Sequence, residues 1–158
     1  MTEKFVFQKI VYLTDTNAEG NTYFARYFDW QGMAREEFLR KNVPEHKAIA
    51  QYGIRIITTN AWMVYQSESV LFDEIEIEVN TANVKPMSLE LVFTFTNKTS
   101  GKSLGRGGEK LAFASKEGEL IPIPPPIQSN AQRFLIERAA EAAEVVAKGR
   151  SAAIASRK

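Results

Sequence analysis

The 158-residue sequence has no cysteine and only one histidine, His46. Without cysteine the chain can form no disulfide framework, and it offers no thiol nucleophile and no thiolate metal ligand. A single histidine leaves too few nitrogen donors for an ordinary transition-metal site. These two shortages argue against a transition-metal site, and we expect no cofactor.

The sequence also lacks a charge excess and a long apolar run. Its 20 basic and 19 acidic residues give a net charge of +1, which argues against a nucleic-acid-binding surface. No apolar run approaches the roughly 20 residues that span a bilayer. The N-terminal stretch MTEKFVFQKIVYL alternates polar with apolar residues, unlike a signal peptide. We expect one soluble, cytoplasmic domain without nucleic-acid or membrane partners.

The most informative stretch lies between residues 14 and 43. A polar turn over 14–21 precedes apolar residues at spacings of three and four, which predict a helix over 22–42. The proline at position 44 ends this pattern. The predicted helix presents one face formed by Phe24, Tyr27, Phe28, Gln31, Arg35, Phe38 and Leu39. Because free amides at a helix start carry partial positive charge, we expect the chemistry there.

Much of the remaining sequence shows the alternation of β-strands. Strands are predicted over 4–13, 54–60, 61–67, 73–81, 88–97 and 104–115, where the second and third can form one long, bent strand. The 73–81 run places Ile75, Ile77 and Val79 on one face and three glutamates on the other. One covered face indicates an antiparallel sheet packed on the predicted helix. This order predicts an α+β protein with the hotdog fold.

Proline and capping signals predict the segments outside the sheet. Residues 44–53 form a connector with a short helical turn at 46–51, and residues 122–126 are extended. Ser129 is predicted to cap a last helix that ends at Gly149. Residues 1–128 therefore form the hotdog domain, and residues 129–158 form its C-terminal helix and tail.

The stretch TDTNAEGNTYFARYFDW resembles the start of the 4-hydroxybenzoyl-CoA thioesterase-like branch of the hotdog superfamily. The shared pattern is an acidic-x-Asp motif, a glycine followed by a polar residue, and an aromatic-rich helix. The segments DEIEIEV and GEKLAF extend the resemblance over about residues 5–120. Within this branch the sequence is most similar to the thioesterases of enediyne polyketide biosynthesis, through Thr16-Asn17, Gly20-Asn21, Trp30-Gln31-Gly32 and Arg35-Glu36.

The resemblance, together with the position of the helix start, predicts three groups of site residues. Matching positions assign catalytic or pocket roles to Asn17, Arg35, Tyr27 and Thr58. Asn17 stands where the common family pattern has a catalytic aspartate. The oxyanion hole would be formed by the backbone amides of Tyr23 and Phe24. Contacts with the substrate are predicted for Asn21, Phe28 and Gln31.

Several of these residues also have a structural interpretation. An amide has no useful basicity at neutral pH, so Asn17 can donate to an oxyanion or orient water, or it can simply form the turn. Arg35 can form a structural salt bridge. Tyr27 can be a core phenol with a bonded hydroxyl, and Thr58 an ordinary strand residue. The missing base could be replaced by Glu19 or Asp15.

The predicted activity is hydrolysis of an acyl thioester carried by acyl carrier protein or CoA. The resemblance further implies release of an unsaturated polyketide chain. A general acyl-CoA thioesterase with Glu19 or Asp15 as base, and a non-catalytic acyl-binding protein, are the alternatives. A single sheet leaves an unpaired edge, so we expect a homodimer, which the resemblance extends to a homotetramer.

Overall fold

A computed structural model describes residues 2–43 and 53–136. The strands are β1 (Phe5–Ile10), β2 (Arg55–Tyr65), β3 (Glu74–Ala82), β4 (Ser88–Asn97), β5 (Ser103–Ala114) and β6 (Leu120–Ile121). The helices are α1 (Arg26–Asn42) and α2 (Pro125–Arg133), and a short 3₁₀ turn covers Leu13–Asp15. The antiparallel sheet has the order β1-β3-β4-β5-β2, and β6 pairs with the end of β5.

The core lies between the concave face of this sheet and α1. The predicted alternation of β3 is present, since Ile75, Ile77 and Val79 are almost fully buried. Phe93 and Phe95 of β4 lie in the same cluster. The helix buries one face in that core, formed by Tyr27, Trp30, Gln31, Ala34 and Phe38. A sheet wrapped around a central helix is the hotdog architecture, so the predicted fold is confirmed.

Three predicted boundaries change. The helix starts at Arg26 and not at residue 22, because residues 24 and 25 form a turn. The two predicted strands over 54–67 are one continuous strand, β2, with a register shift between Thr58 and Asn60 that accommodates the bend. The strands predicted over 73–81, 88–97 and 104–115 agree with β3, β4 and β5 to within about one residue. The strand predicted over 4–13 is too long, because β1 ends at Ile10 and a 3₁₀ turn follows over Leu13–Asp15.

The prediction for residues 122–133 is wrong in two places. The helix α2 begins at Pro125, because proline is well tolerated in a first helical turn, where its missing N–H has no partner to lose. Ser129 therefore lies inside α2 and is not its N-cap. The helix stops at Arg133, after which Leu135 forms a parallel bridge with Thr81. The predicted helix beyond residue 136, the turn at 46–51 and His46 lie outside the described residues.

Among the described residues, β1 and β2 form the two edges of the five-strand order, each with one neighbouring strand. The strand β2 is 11 residues long, and residues 58–61 in its centre are exposed. An edge strand of this length presents unpaired backbone groups to another chain. Within residues 2–43 and 53–136, no helix has the length and hydrophobicity that crossing a membrane requires.

Candidate active site

The turn before α1 is held by Asp15. Its carboxylate accepts a hydrogen bond from the Tyr12 amide at 2.8 Å and forms an ion pair with Lys9 at 3.2 Å. Its backbone carbonyl accepts from the Tyr23 amide, also at 2.8 Å. The Asp15 side chain is largely buried, so its charge is used to bind the turn to β1. This geometry favours a structural role for Asp15 over the alternative role as a base.

Asn17 combines the features of a turn former and of a donor. Its side-chain carbonyl accepts from the Glu19 amide at 2.9 Å, and its backbone carbonyl accepts from Gly20 at 3.0 Å. Gly20 has a φ of +87°, a conformation that favours glycine. The side-chain NH₂ group of Asn17 donates to no acceptor among the described residues. Asn17 therefore keeps two N–H donors for a ligand while its oxygen holds the turn.

The start of α1 offers free backbone amides. Phe24 and Ala25 donate no hydrogen bond within the described part of the chain. The carbonyl of Tyr23 accepts from the Arg26 amide at 2.9 Å, so the N–H of the Tyr23–Phe24 peptide points away from the helix. The Tyr23 amide is bound to Asp15, and its predicted role in an oxyanion hole would require that bond to break. The geometry instead makes the backbone amides of Phe24 and Ala25 the candidate oxyanion hole.

Tyr65 is a residue of this region that sequence reasoning missed. Its hydroxyl donates to the Phe24 carbonyl at 2.6 Å and so orients the Phe24–Ala25 peptide. Burial, with a smaller effect of Tyr27, raises the pKa of Tyr65 to about 12. The phenol therefore stays protonated and remains a donor at neutral pH. The two residues are 41 positions apart, and no local pattern marks such a pair.

Tyr27 lies in the core next to this region. Its side chain is 2% exposed, and its hydroxyl lies 3.0 Å from Ser69 Oγ, which lies 2.7 Å from Thr22 Oγ1. Burial raises the pKa of the Tyr27 phenol, and the Ser69 hydrogen bond acts in the opposite direction. The hydroxyl thus links α1 to the segment before β3. The contacts match the core-phenol alternative for Tyr27.

The three predicted substrate contacts have different environments. Phe28 exposes part of its ring, whereas Gln31 is fully buried and donates to the Trp62 carbonyl at 3.1 Å. A Cβ on Gly107 would lie 2.1 Å from Gln31 Nε2, so this packing requires glycine there. The side-chain oxygens of Asn21 and Gln31 are buried and lack a hydrogen-bond partner within the described residues. Neither oxygen is exposed, so the predicted substrate contacts of Asn21 and Gln31 are not open to a ligand in this conformation.

Arg35 and Thr58 do lie together. Arg35 Nη1 donates to Thr58 Oγ1 at 2.9 Å and to Glu109 Oε2 at 2.9 Å. Glu109, on β5, is buried, and sequence reasoning gave it no role beyond the GEKLAF resemblance. Burial raises the pKa of the Glu109 carboxyl, and the Arg35 charge and hydrogen bond oppose that effect. The structural alternative for Arg35, a salt bridge to a carboxylate, is therefore present.

The predicted residues form two groups in one copy of the chain. Arg35 lies nine residues beyond the first residue of α1, which at 1.5 Å per residue is about 13 Å along the helix. Phe24 is at the start of α1, after the turn that contains Asn17, and Arg35 and Thr58 are at the other end of this distance. One copy therefore does not bring all the predicted catalytic groups to a single thioester.

Two cavities beside α1 are an open groove and a small apolar void. The groove, about 520 Å³, is lined by Phe7, Met33, Glu36, Glu37 and Arg40. The void, about 10 Å³, lies between Phe38, Leu39 and the sheet, and α2 closes it. A space of that size holds about one water molecule. The space between this part of α1 and the sheet is therefore nearly filled by side chains. Within the described ranges, no three His, Asp or Glu side chains are grouped as metal ligands.

The wrapped sheet, the central helix and the free amides at its start define a hotdog protein of the thioesterase type. The chain belongs to the thioesterase-like superfamily, whose family model matches residues 11–131.

Three solved structures show how this chain compares with other members of the fold. The dynemicin thioesterase is 25% identical with a TM-score of 0.79, and the match covers 86% of this chain and 100% of that chain. A 1,4-dihydroxy-2-naphthoyl-CoA thioesterase from Synechocystis is 18% identical with a TM-score of 0.76, and the match covers 82% of this chain and 96% of that chain. A gentisyl-coenzyme A thioesterase is 22% identical with a TM-score of 0.71, and the match covers 80% of this chain and 99% of that chain.

Proposed function

We propose that the protein hydrolyses acyl thioesters carried by CoA or acyl carrier protein. The observation that carries this proposal is the pair of unpartnered amides, Phe24 and Ala25, at the positive end of α1 in a member of the thioesterase-like superfamily. Two N–H groups at a helix start are suited to an oxyanion, because the helix dipole favours negative charge there.

In the proposed reaction, water attacks the carbonyl carbon of the thioester. The carbonyl electrons move to the oxygen, where the Phe24 and Ala25 amides and the Asn17 NH₂ group stabilise the negative charge. As the carbonyl re-forms, the carbon–sulfur bond breaks, and the thiolate takes up the proton that the water has lost. Asn17 cannot remove that proton, so charge stabilisation must supply most of the rate.

We propose that a second copy completes the site. Thr58, beside Arg35, and Tyr65, beside Phe24, lie toward opposite ends of the edge strand β2. If two copies of β2 pair in antiparallel fashion about a two-fold axis near Ala61 and Trp62, each Thr58 lies near the partner's Tyr65. Arg35 of one copy then faces the helix start of the other. Pairing of two such dimers would give the proposed homotetramer.

The proposed acyl group is a long, unsaturated polyketide chain on acyl carrier protein. Support comes from the dynemicin thioesterase, a similar structure that is described with a bound polyene. The nearly filled void beside Phe38 and Leu39 would have to open to admit such a chain. CoA thioesters are the alternative substrates, because two of the similar structures are CoA thioesterases.

The experiment is release of free thiol from a matched panel of acyl-CoA and acyl-carrier-protein substrates, with saturated and polyunsaturated chains of equal length. The proposal predicts hydrolysis, with the highest kcat/KM for the unsaturated chain on the carrier protein. Faster hydrolysis of the CoA series would show that CoA, and not acyl carrier protein, carries the substrate. Binding without hydrolysis of any member would support the non-catalytic alternative and contradict the proposed activity.

A further inference from the structure

Glu109 is an acidic residue on the apolar, core-facing side of β5. Its side chain is 7% exposed, and Leu111 and Phe113, which follow it on the same face of the strand, belong to the core. A buried carboxylate is costly unless it is paired with a charge and hydrogen-bonded. Its partner is Arg35, whose Nη1 lies 2.9 Å from Glu109 Oε2.

Arg35 has an inner and an outer acidic partner. The outer one, Glu36, lies 3.3 Å from Nε and from Nη2, and its side chain is 71% exposed. An exposed ion pair restrains a side chain weakly, whereas a short, buried, charge-assisted hydrogen bond restrains it strongly. The nitrogen that reaches Glu109 is also the one that donates to Thr58. Glu109, more than Glu36, determines the direction of the guanidinium.

Resting on the proposed thioesterase function, we infer that Glu109 is a positioning residue for Arg35. Its carboxylate holds the guanidinium beside Thr58, in the orientation from which Arg35 meets the negative charge that develops in the reaction. Arg35 is the group that approaches the substrate, and Glu109 acts through it. The isosteric change Glu109→Gln keeps an oxygen that can accept from Arg35 but removes the charge that fixes it.

This role has a pH signature. The charged groups of the described residues that act on Glu109 are Arg35 and Glu36, both on α1, while its strand neighbours are Ala61 on β2 and Leu91 on β4. Burial raises the pKa of the Glu109 carboxyl. As the pH falls, Glu109 therefore gains a proton and releases Arg35 at a pH above the ordinary pKa of a glutamate. Wild-type kcat should fall on the acid side in that range.

The test measures kcat, KM and melting temperature for a thioester that the wild type hydrolyses. Glu109→Gln should lower kcat about 10²-fold at neutral pH with little change in KM, because a misplaced catalytic group costs about that much. It should also lose the acid limb of the kcat profile. The matched control is Glu36→Gln, which removes the outer partner of the same arginine. This variant should keep the wild-type kcat at neutral pH and the fall of kcat at acid pH.

A double variant shows whether Glu109 acts through Arg35. Glu109→Gln added to Arg35→Gln should lower kcat no further than Arg35→Gln alone, because the group that Glu109 positions is already absent. Equal kcat for Glu109→Gln and Glu36→Gln, additive losses in the double variant, or a lower melting temperature with unchanged kcat would each overturn the inference. Absence of hydrolysis by the wild type across the substrate panel would instead overturn the proposed function.

Discussion

The two groups of the candidate site, at the start of α1 and at its middle, are built from different chemistry. At the start, neutral donors are free for a ligand: the amides of Phe24 and Ala25, oriented by the hydroxyl of Tyr65. At the middle, the donor is the charged Arg35, which is already bound to Glu109 and Thr58.

Because of this difference, the two groups should control different properties of the reaction, the size of kcat and its dependence on pH. Backbone amides do not titrate, so the oxyanion stabilisation proposed for the helix start should be the same at all working pH values. The middle group depends on an ion pair, and protonation of the carboxylate abolishes the charge on which that pair depends. We therefore expect changes at the start of α1 to lower kcat at every pH, and changes at the middle to alter its pH dependence.

The largest effect is expected for Arg35. Arg35→Lys keeps the charge but loses the planar fork that reaches both Thr58 and Glu109, so kcat should fall about 10²–10³-fold. Arg35→Ala should lower kcat similarly and also leave Glu109 unpaired, at a cost of about 1–3 kcal/mol in the free energy of unfolding. Steady-state kinetics and thermal melts of both variants check this. Full activity in Arg35→Lys, with a marked stability loss in Arg35→Ala, would contradict a catalytic Arg35.

The next effect is expected for Asn17. Asn17→Ala removes the free NH₂ donors and the side-chain acceptor of the Glu19 amide. Loss of a transition-state hydrogen bond should lower kcat at least about tenfold. Asn17→Asp keeps an oxygen for the turn and places a carboxylate where the common family pattern has one. If Asn17→Ala hydrolyses thioesters as fast as the wild type, Asn17 is only a turn residue.

A smaller effect is expected for Tyr65. Tyr65→Phe removes one neutral hydrogen bond to the Phe24 carbonyl, worth about 1 kcal/mol, so kcat should fall about fivefold. The loss should be the same at every pH, because the Tyr65 pKa of about 12 keeps the phenol protonated throughout the working range. A kcat profile of Tyr65→Phe that coincides with the wild type would show that this hydroxyl does not orient the peptide.

The smallest effect is expected for Glu37, which is on α1 but in neither group. The hydrogen bond from Arg40 lowers the pKa of Glu37 from 4.5 to about 2, and the stabilisation that follows is fully present above the unfolded value. That contribution is lost as the pH falls from 4.5 to about 2. Because the pair is exposed, Glu37→Gln should leave kcat unchanged and the melting temperature at neutral pH nearly unchanged. A large loss of activity would mean that the groove beside Glu37 belongs to the site.

The fold could be predicted because its signals are local. The alternation of Ile75, Ile77 and Val79 with glutamates identifies β3 and its buried face, and the three-four spacing identifies α1. The errors have local causes as well. Three consecutive prolines suggested an extended segment, yet Pro125 occupies the first turn of α2.

The candidate site could be predicted only where its residues belong to the turn and helix of the motif. Glu109 is 74 positions from Arg35 and Tyr65 is 41 positions from Phe24, and both pairs depend on the sheet that brings them together. An acidic residue on a strand is ordinarily a surface residue. The pairing of Glu109 with Arg35 becomes visible only when the fold places β5 beside α1.

In the proposed dimer, Asn17 and Phe24 of one copy act together with Arg35 of a second copy. Complementation tests this arrangement: purified Asn17→Ala and Arg35→Ala are mixed in equal amounts, allowed to exchange subunits, and assayed for thioester hydrolysis. Each mixed dimer would carry one intact and one doubly changed site, so activity should recover to about a quarter of the wild-type value. If no activity is recovered although native mass spectrometry detects mixed dimers, a site shared between copies is contradicted.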